Sequence, residues 1–453
     1  MVTKLMAGVG AIGVAFIAAC SGRSTSPEPP SGHAIALPPD TVEPGGTGPQ
    51  YPGTGFRVHE WGTNTIVVGS DGSLQRGLQH EEEDLPSFVY DRRRAELAQD
   101  PVEVKMETPV TYFYSDTPMK TDVTVRFPHG VLTQWYPAVQ SFAPLTLKGK
   151  GDPALDPRFP FTNAACREQF SRLRDGVLAW GSVDVLARDA QPSVPEAPLD
   201  RFTWSHARAV GANAIRVANG AAQDERFLFY RGLGNFPIDV KVAAQAGEAG
   251  RDGGLTLTNL DANSAVGAVF VLRVEQDKAA FTVRSGGIAA GASLAETAPR
   301  ATQPLDAYAN DLAKAMVKEL DAAGLYHDES IAMVKTWARQ WFRTPGVRVL
   351  YLAPQAWTDR QIPLDVAPKP AELVRVMVIR VEALTRAQED ADVAAVAKLA
   401  GAARAEGEAH FRGLGRFAEP RLRRAITLAD APLEATQLLD AMSGADVNVR
   451  AGE

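Results

Sequence analysis

His59 and Glu60 open the run His-Glu-Trp-Gly-Thr, which begins like the metalloprotease pattern His-Glu-x-x-His. On a helix that pattern sets two histidines on one face for zinc, with the glutamate as general base. Here Thr63 stands where the second histidine is required, and the run reads as a strand entering a turn. In a strand, successive side chains point to opposite faces, so His59 and Glu60 cannot easily serve one site. A site assembled from distant strands, such as His59, His129 and His206 with Glu107, remains open beside histidines that cap turns. Paired carboxylates could do acid–base work across a cleft, and Glu60, Glu107, Asp184 and Glu225 all fall on or beside expected strands. The acid run Glu81-Glu82-Glu83-Asp84 reads as a solvated loop rather than a calcium site.

Stronger signatures are missing. The chain has no Gly-x-Ser-x-Gly elbow, no phosphate-binding Walker loop, no kinase set and no Cys-x-x-Cys pair. Gly8 to Gly13 matches Gly-x-Gly-x-x-Gly letter for letter, but no strand precedes it. Cys166 has no histidine near it in sequence and reads as a buried structural thiol. Seven tryptophans are spread along the chain; exposed, they would stack on sugar rings or peptides, while the ordinary place for tryptophan is the core. Tyr230 to Phe236 and Phe411 to Phe417 echo each other without a longer repeat, and Gly232 and Gly234 suggest a tight turn.

The elements that must position these residues change character along the chain. From Phe56 to about Arg284 the period is two, with strands expected at 102–106, 121–127, 226–230, 238–243, 255–258, 266–274 and 280–283. After Pro304 the period becomes helical: one helix over 305–323 ends at Gly324, and a second is capped by Asp328. Strands follow at 347–352 and 373–381, separated by a loop carrying Trp357 and Pro363. The last seventy or so residues, rich in Ala, Glu and Arg, suggest about three helices, one over 393–403. The expected fold is α+β: an antiparallel β-sandwich-like N-terminal region, then a mixed helix/strand segment and a C-terminal helical region.

Composition narrows the partners. The 453 residues are 45% hydrophobic, with a formal charge of −7 that becomes −8 if Lys4 is lost with residues 1–19. An acidic body disfavours nucleic acid and any broad hold on anionic lipid. No cofactor is implied.

The N-terminus resembles a bacterial lipoprotein signal peptide. Lys4 precedes the apolar run Leu5 to Ile17, too short to span a bilayer, and Ile17-Ala-Ala-Cys20 matches the lipobox. The resemblance implies cleavage before Cys20 and acylation of that cysteine, enough lipid for stable anchoring. Ser21, where an aspartate would retain such a protein in the inner membrane, favours the outer membrane or cell surface, with the periplasmic face open. Residues 20–55, rich in Pro, Gly, Ser and Thr, read as a disordered tether that reaches on the order of 100 Å when extended.

A second resemblance covers about residues 56–383. Val58-His-Glu-Trp-Gly-Thr63, Leu85 to Tyr90, Lys105-Met-Glu-Thr-Pro-Val110 with Tyr112-Phe-Tyr114, Phe229-Tyr-Arg-Gly232, Trp337 to Phe342 and Val347 to Asp359 resemble a family of uncharacterised exported bacterial proteins. Where that family has an aromatic after the threonine, this chain has Asn64. The resemblance makes His59, Glu60, Trp61, Glu107 and Arg231 the candidate binding residues; it supplies no activity.

The chain therefore divides into a signal peptide (1–19), a tether (20–55), a β-rich domain (56–300), an α/β segment packing on it (301–383) and a helical C-terminal region (384–453). The expectation is a lipid-anchored envelope protein that binds a polysaccharide or protein partner. An envelope hydrolase built near His59 and Glu107, and a structural or assembly subunit with an exposed apolar face on its C-terminal helices, are the alternatives.

Overall fold

The structure is a computed structural model that describes residues 49–81, 85–92, 102–144, 173–244 and 253–445. The signal segment, Cys20, most of the tether and Cys166 lie outside the described residues.

The fold is α+β. Its frame is a ten-stranded sheet in which the long strands Arg57–Val68 and Glu372–Ala383 lie side by side at the centre. They run parallel, whereas the other described strand pairs are antiparallel. Beyond Arg57–Val68 come Val104–Tyr114, Leu228–Gly234 and Gly130–Tyr136; beyond Glu372–Ala383 come Gly346–Ala353, Val269–Val274 and Lys278–Arg284. Two-residue strands close both edges, and such short edges limit pairing with other chains.

A six-stranded sheet built around Met119–Phe127 and Gly176–Val185, and a three-stranded sheet centred on Gly254–Asn259, cover one face. One apolar cluster joins all three sheets: Val58, Ile66 and Met377 from the large sheet meet Val125, Trp180, Val242 and Leu257 from the smaller ones. This is the sandwich the alternating sequence led one to expect. Alternation does the sorting: even-numbered residues of Arg57–Val68 face the sandwich, and odd-numbered ones face the other side.

That other side is covered by helices. Leu305–Ala322 packs against His327–Arg343, which in turn packs on a 3-10 turn at Thr203–Ala209. Four helices, Arg386–Lys398, Arg404–Arg412, Ala418–Leu428 and Leu433–Ala445, share a core of their own around Val396, Phe411 and Leu422. Phe417 joins them to Val67 and Leu233 of the sheet. No helix of the described residues is long and apolar enough to cross a membrane.

Several local expectations give way. The strands of 301–383 do not simply pack on the sheet; Gly346–Ala353 and Glu372–Ala383 are among its central members. His59 to Thr63 enters no turn but lies within a twelve-residue strand. The second helix is capped by Tyr326, whose backbone N–H donates to Glu329, so Asp328 sits inside its first turn and accepts from Gly211 N instead. The loop carrying Trp357 holds a short helix, Gln355–Gln361. The helix expected over 393–403 starts at Arg386, where Thr385 and Gln388 form a capping box, and ends at Lys398.

Candidate functional site

Three of the recognised motifs meet in adjacent strands. His59 to Thr63 pairs with Glu107 to Tyr112, which pairs with Leu228 to Gly232. At their junction Thr108 and Pro109 face Gly62 alone, so Val104–Tyr114 carries a bulge. Thr108 takes φ of 48°, a value a β-branched residue rarely adopts. A Cβ on Gly62 would lie 2.9 Å from Pro109 Cα, so the glycine of the His-Glu-Trp-Gly motif makes room for the bulge. Gly232 and Gly234 serve close approach too, and no turn: a Cβ there would meet Val131 O at 2.8 Å and the Phe127 ring at 2.7 Å.

The five candidate residues are all buried, none more than 3% exposed. They divide between two faces, as strand alternation requires. Glu60 alone faces the sandwich. There its Oε2 accepts from Arg375 Nε at 2.8 Å, and its Oε1 accepts from Tyr230 Oη at 2.6 Å and Thr111 Oγ1 at 3.1 Å. Arg375 also reaches Asp359 at 2.9 Å. Burial works against the Arg375 charge, but Glu60 and Asp359 outweigh it and hold the guanidinium more firmly protonated than usual. Burial and the Glu60 charge push the Tyr230 phenol well up, so it serves as a neutral donor.

His59, Trp61, Glu107 and Arg231 belong to the helical face. His59 Nδ1 lies 2.8 Å from Glu329 Oε2, and Tyr114 Oη donates to Glu329 Oε1 at 2.8 Å. The His59 ring packs on Tyr326 at 4.2 Å and edge-on to Tyr114 at 5.3 Å. Trp61 is fully buried, 6.2 Å from the Tyr112 ring. Glu107 accepts from Arg416 Nη1 and from Thr65 Oγ1 at 2.6 Å. Burial raises its affinity for a proton, but Arg416 and Lys105 outweigh burial and hold the carboxyl below its usual range. Glu81 Oε2 bridges Lys105 Nζ at 2.8 Å and Arg231 Nη1 at 3.1 Å, while Arg231 Nε donates to Thr108 Oγ1 at 3.2 Å. Burial lowers the Lys105 ammonium despite Glu81 and Glu107.

Glu107 and Arg231 thus share one charge network, to which Lys105 and Arg416 belong. His59 stands apart from it. Glu107 is paired with Thr63, four residues along the strand from His59, which is roughly 13 Å at 3.3 Å per residue. Each of the two has its own partner, so they do not form the joint histidine–carboxylate site that a hydrolase there would use. Nor do His129 and His206 join His59. His129 is exposed at a strand turn, and His206 sits in the Thr203–Ala209 turn, where burial and Lys335 hold its imidazole down to about 4. Among the described residues, no three His, Cys, Asp or Glu side chains are placed to hold a metal ion.

A further network lies on the same face. Glu382 accepts from Arg348 Nη2 at 2.9 Å and from Arg380 Nε at 2.7 Å. Burial raises this carboxyl, yet the two guanidiniums prevail and hold it at about 2. A cleft of about 30 Å³ beside it, lined in part by Glu382, Gln388, Phe417 and Arg421, has room for little more than water. The seven tryptophans are each at most 5% exposed, so none offers a stacking platform.

Sequence reasoning missed Glu329, Tyr326, Arg375, Arg416 and Glu382 as partners. Only the last strand carried a signal: Arg375, Arg380 and Glu382 interrupt an apolar run, and charges in a buried strand must be paired.

No protein-family model matches the chain, and no curated protein matches it. Among solved structures, a Mu homology domain from Danio rerio, solved with a bound peptide, is similar at a TM-score of 0.28 and 5% identity, covering 73% of this chain and 98% of that one. A likeness that slight bears on neither site nor ligand.

Proposed function

We propose that this protein is an exported, lipid-anchored envelope module that works by binding a partner at its surface and has no catalytic centre among its candidate residues. The observation that carries the non-catalytic part is the fate of those residues. All five are buried, and four of them direct charges or hydrogen bonds to neighbours: Glu60 and Arg231 within the large sheet, His59 and Glu107 to its helical cover. A general acid or base must reach the proton it moves, and buried, mutually paired groups do not. The anchor rests on the lipobox resemblance at Cys20, and the tether that follows would hold the folded body clear of lipid. An assembly role would call for a broad apolar face on the C-terminal helices. Among the described residues only Leu428 and Leu433 are large, apolar and exposed there.

Intact mass and membrane fractionation of the wild type beside Cys20→Ala test the anchor. Acyl mass and membrane retention in the wild type alone are expected; two unacylated, soluble chains overturn it. Cosedimentation of Cys20→Ala with isolated cell envelopes tests binding separately, because that chain lacks lipid. Retention supports a surface partner, and a chain left wholly in the supernatant refutes it.

A further inference from the structure

The strand that carries His59 is preceded by a short strap, residues 49–55, lying over a cluster of rings. The strap is held by few contacts. Pro49 O accepts from His327 N at 2.8 Å, Tyr51 Oη donates to Gly55 O at 2.9 Å, and Arg188 sits 4.7 Å above the Tyr51 ring. Its six other residues are exposed, and Tyr51 is half-buried. The Tyr51 ring rests 5.4 Å from Tyr114 and 6.5 Å from Tyr326. Those two rings, 1% and 6% exposed, are the ones that enclose His59. Tyr51 is therefore the outermost ring of a stack whose innermost member is an imidazole.

That imidazole is incompletely used. Nδ1 lies against the Glu329 carboxylate, which leaves Nε2 as the second polar atom of the ring. Nε2 is buried and has no hydrogen-bond partner among the described residues. The hydroxyl of Tyr326, the ring stacked on it, is buried and unpartnered as well. Two such atoms on adjacent rings leave hydrogen-bonding capacity that no described residue fills.

We propose that the seat of Tyr51 is a gated ligand site: when the strap lifts, the Tyr114–Tyr326 wall accepts a flat aromatic ring bearing a hydroxyl, which both donates and accepts and so pairs with His59 Nε2 and Tyr326 Oη. The occupant in the closed chain is a ring whose own hydroxyl turns to Gly55 O, so the seat fixes the aromatic part of the ligand and the two unpartnered atoms fix its polar part. Arg188 adds a cation for the outer face of such a ring. This site is independent of the anchor and of any surface partner.

Acylation by diethyl pyrocarbonate, read residue by residue by mass spectrometry on the full-length chain, tests the proposal. His129, which is exposed, serves as the internal reference. In the wild type and in Tyr51→Phe, which keeps the ring, His59 is expected to be protected. In Tyr51→Ala its acylation rises roughly tenfold or more relative to His129, while the far-UV spectrum is unchanged. Phenol at millimolar concentration then restores protection of His59 in Tyr51→Ala, as a small ring fills a cavity cut to its shape. His59 reacting freely in the wild type, remaining protected in Tyr51→Ala, or failing to be shielded by phenol each overturns the proposal.

Discussion

Arg375 and Glu60 are direct register partners across the parallel pairing at the centre of the large sheet, and their side chains close to 2.6 Å with neither exposed to water. The pair is a single unit energetically. Removing one member strands the other charge in the sandwich interior, whereas removing both leaves only the neutral hydroxyls of Tyr230 and Thr111 and the part-exposed Asp359. Glu60→Gln is therefore expected to lower unfolding free energy by about 3–5 kcal/mol, and Glu60→Met with Arg375→Met to recover most of it. Denaturant midpoints of the three chains decide the matter; equal losses in the single and double variants would contradict the pairing.

Gly62 should tolerate no side chain. Gly62→Ala forces its Cβ against Pro109 Cα, and overpacking of this kind costs about 1–3 kcal/mol. A drop in thermal midpoint is the expected readout, and deleting the bulge residue Thr108 in the same chain should not restore it, because Pro109 remains opposite.

The motif around His59 was legible as a segment of importance, but its meaning was not. Val58 to Thr63, Lys105 to Val110 and Phe229 to Gly232 converge because a bulge, a proline and two glycines must interlock across three strands. Alternation and turn residues revealed the sandwich, and helical periodicity revealed Leu305–Ala322 almost to the residue. What sequence could not reveal was pairing at long range. Glu60 finds Arg375 and Glu107 finds Arg416 more than three hundred positions away, and no local pattern encodes such a choice. The sequence likewise leaves His59 open between a site and a satisfied strand histidine, and its partner Glu329 lies on a distant helix.

Asn64 breaks the logic of its strand. It points into the apolar interlayer beside Met106 and Ile379, fully buried, and neither its amide nitrogen nor its oxygen has a partner among the described residues. Asn64→Val removes two unmet polar atoms and favours the extended backbone, so it is expected to raise stability by about 1–3 kcal/mol. A higher thermal midpoint checks this; a lower one would mean that the amide is bonded in solution.

Acid should loosen the helical layer through Glu382. This carboxyl ionises at about 2 in the folded chain against 4.5 for an ordinary glutamate, so the unfolded chain takes up the proton first as pH falls. The stability it contributes is complete above about 4.5 and is lost progressively towards 2. Thermal midpoints measured from neutral pH downward should fall more steeply in the wild type than in Glu382→Gln, which begins lower because Arg348 and Arg380 lose their shared partner.

The central parallel pairing also sets a clock. Residues that lie shoulder to shoulder there are separated by 315 positions of chain, and a ribosome needs roughly 15–60 s to add that many at 5–20 residues per second. Throughout that interval the first strand waits with one edge of its backbone unpaired. The newborn chain thus carries an open strand edge over most of its synthesis. A chain stopped short of the last strand leaves an adhesive edge, apt to aggregate or to be degraded.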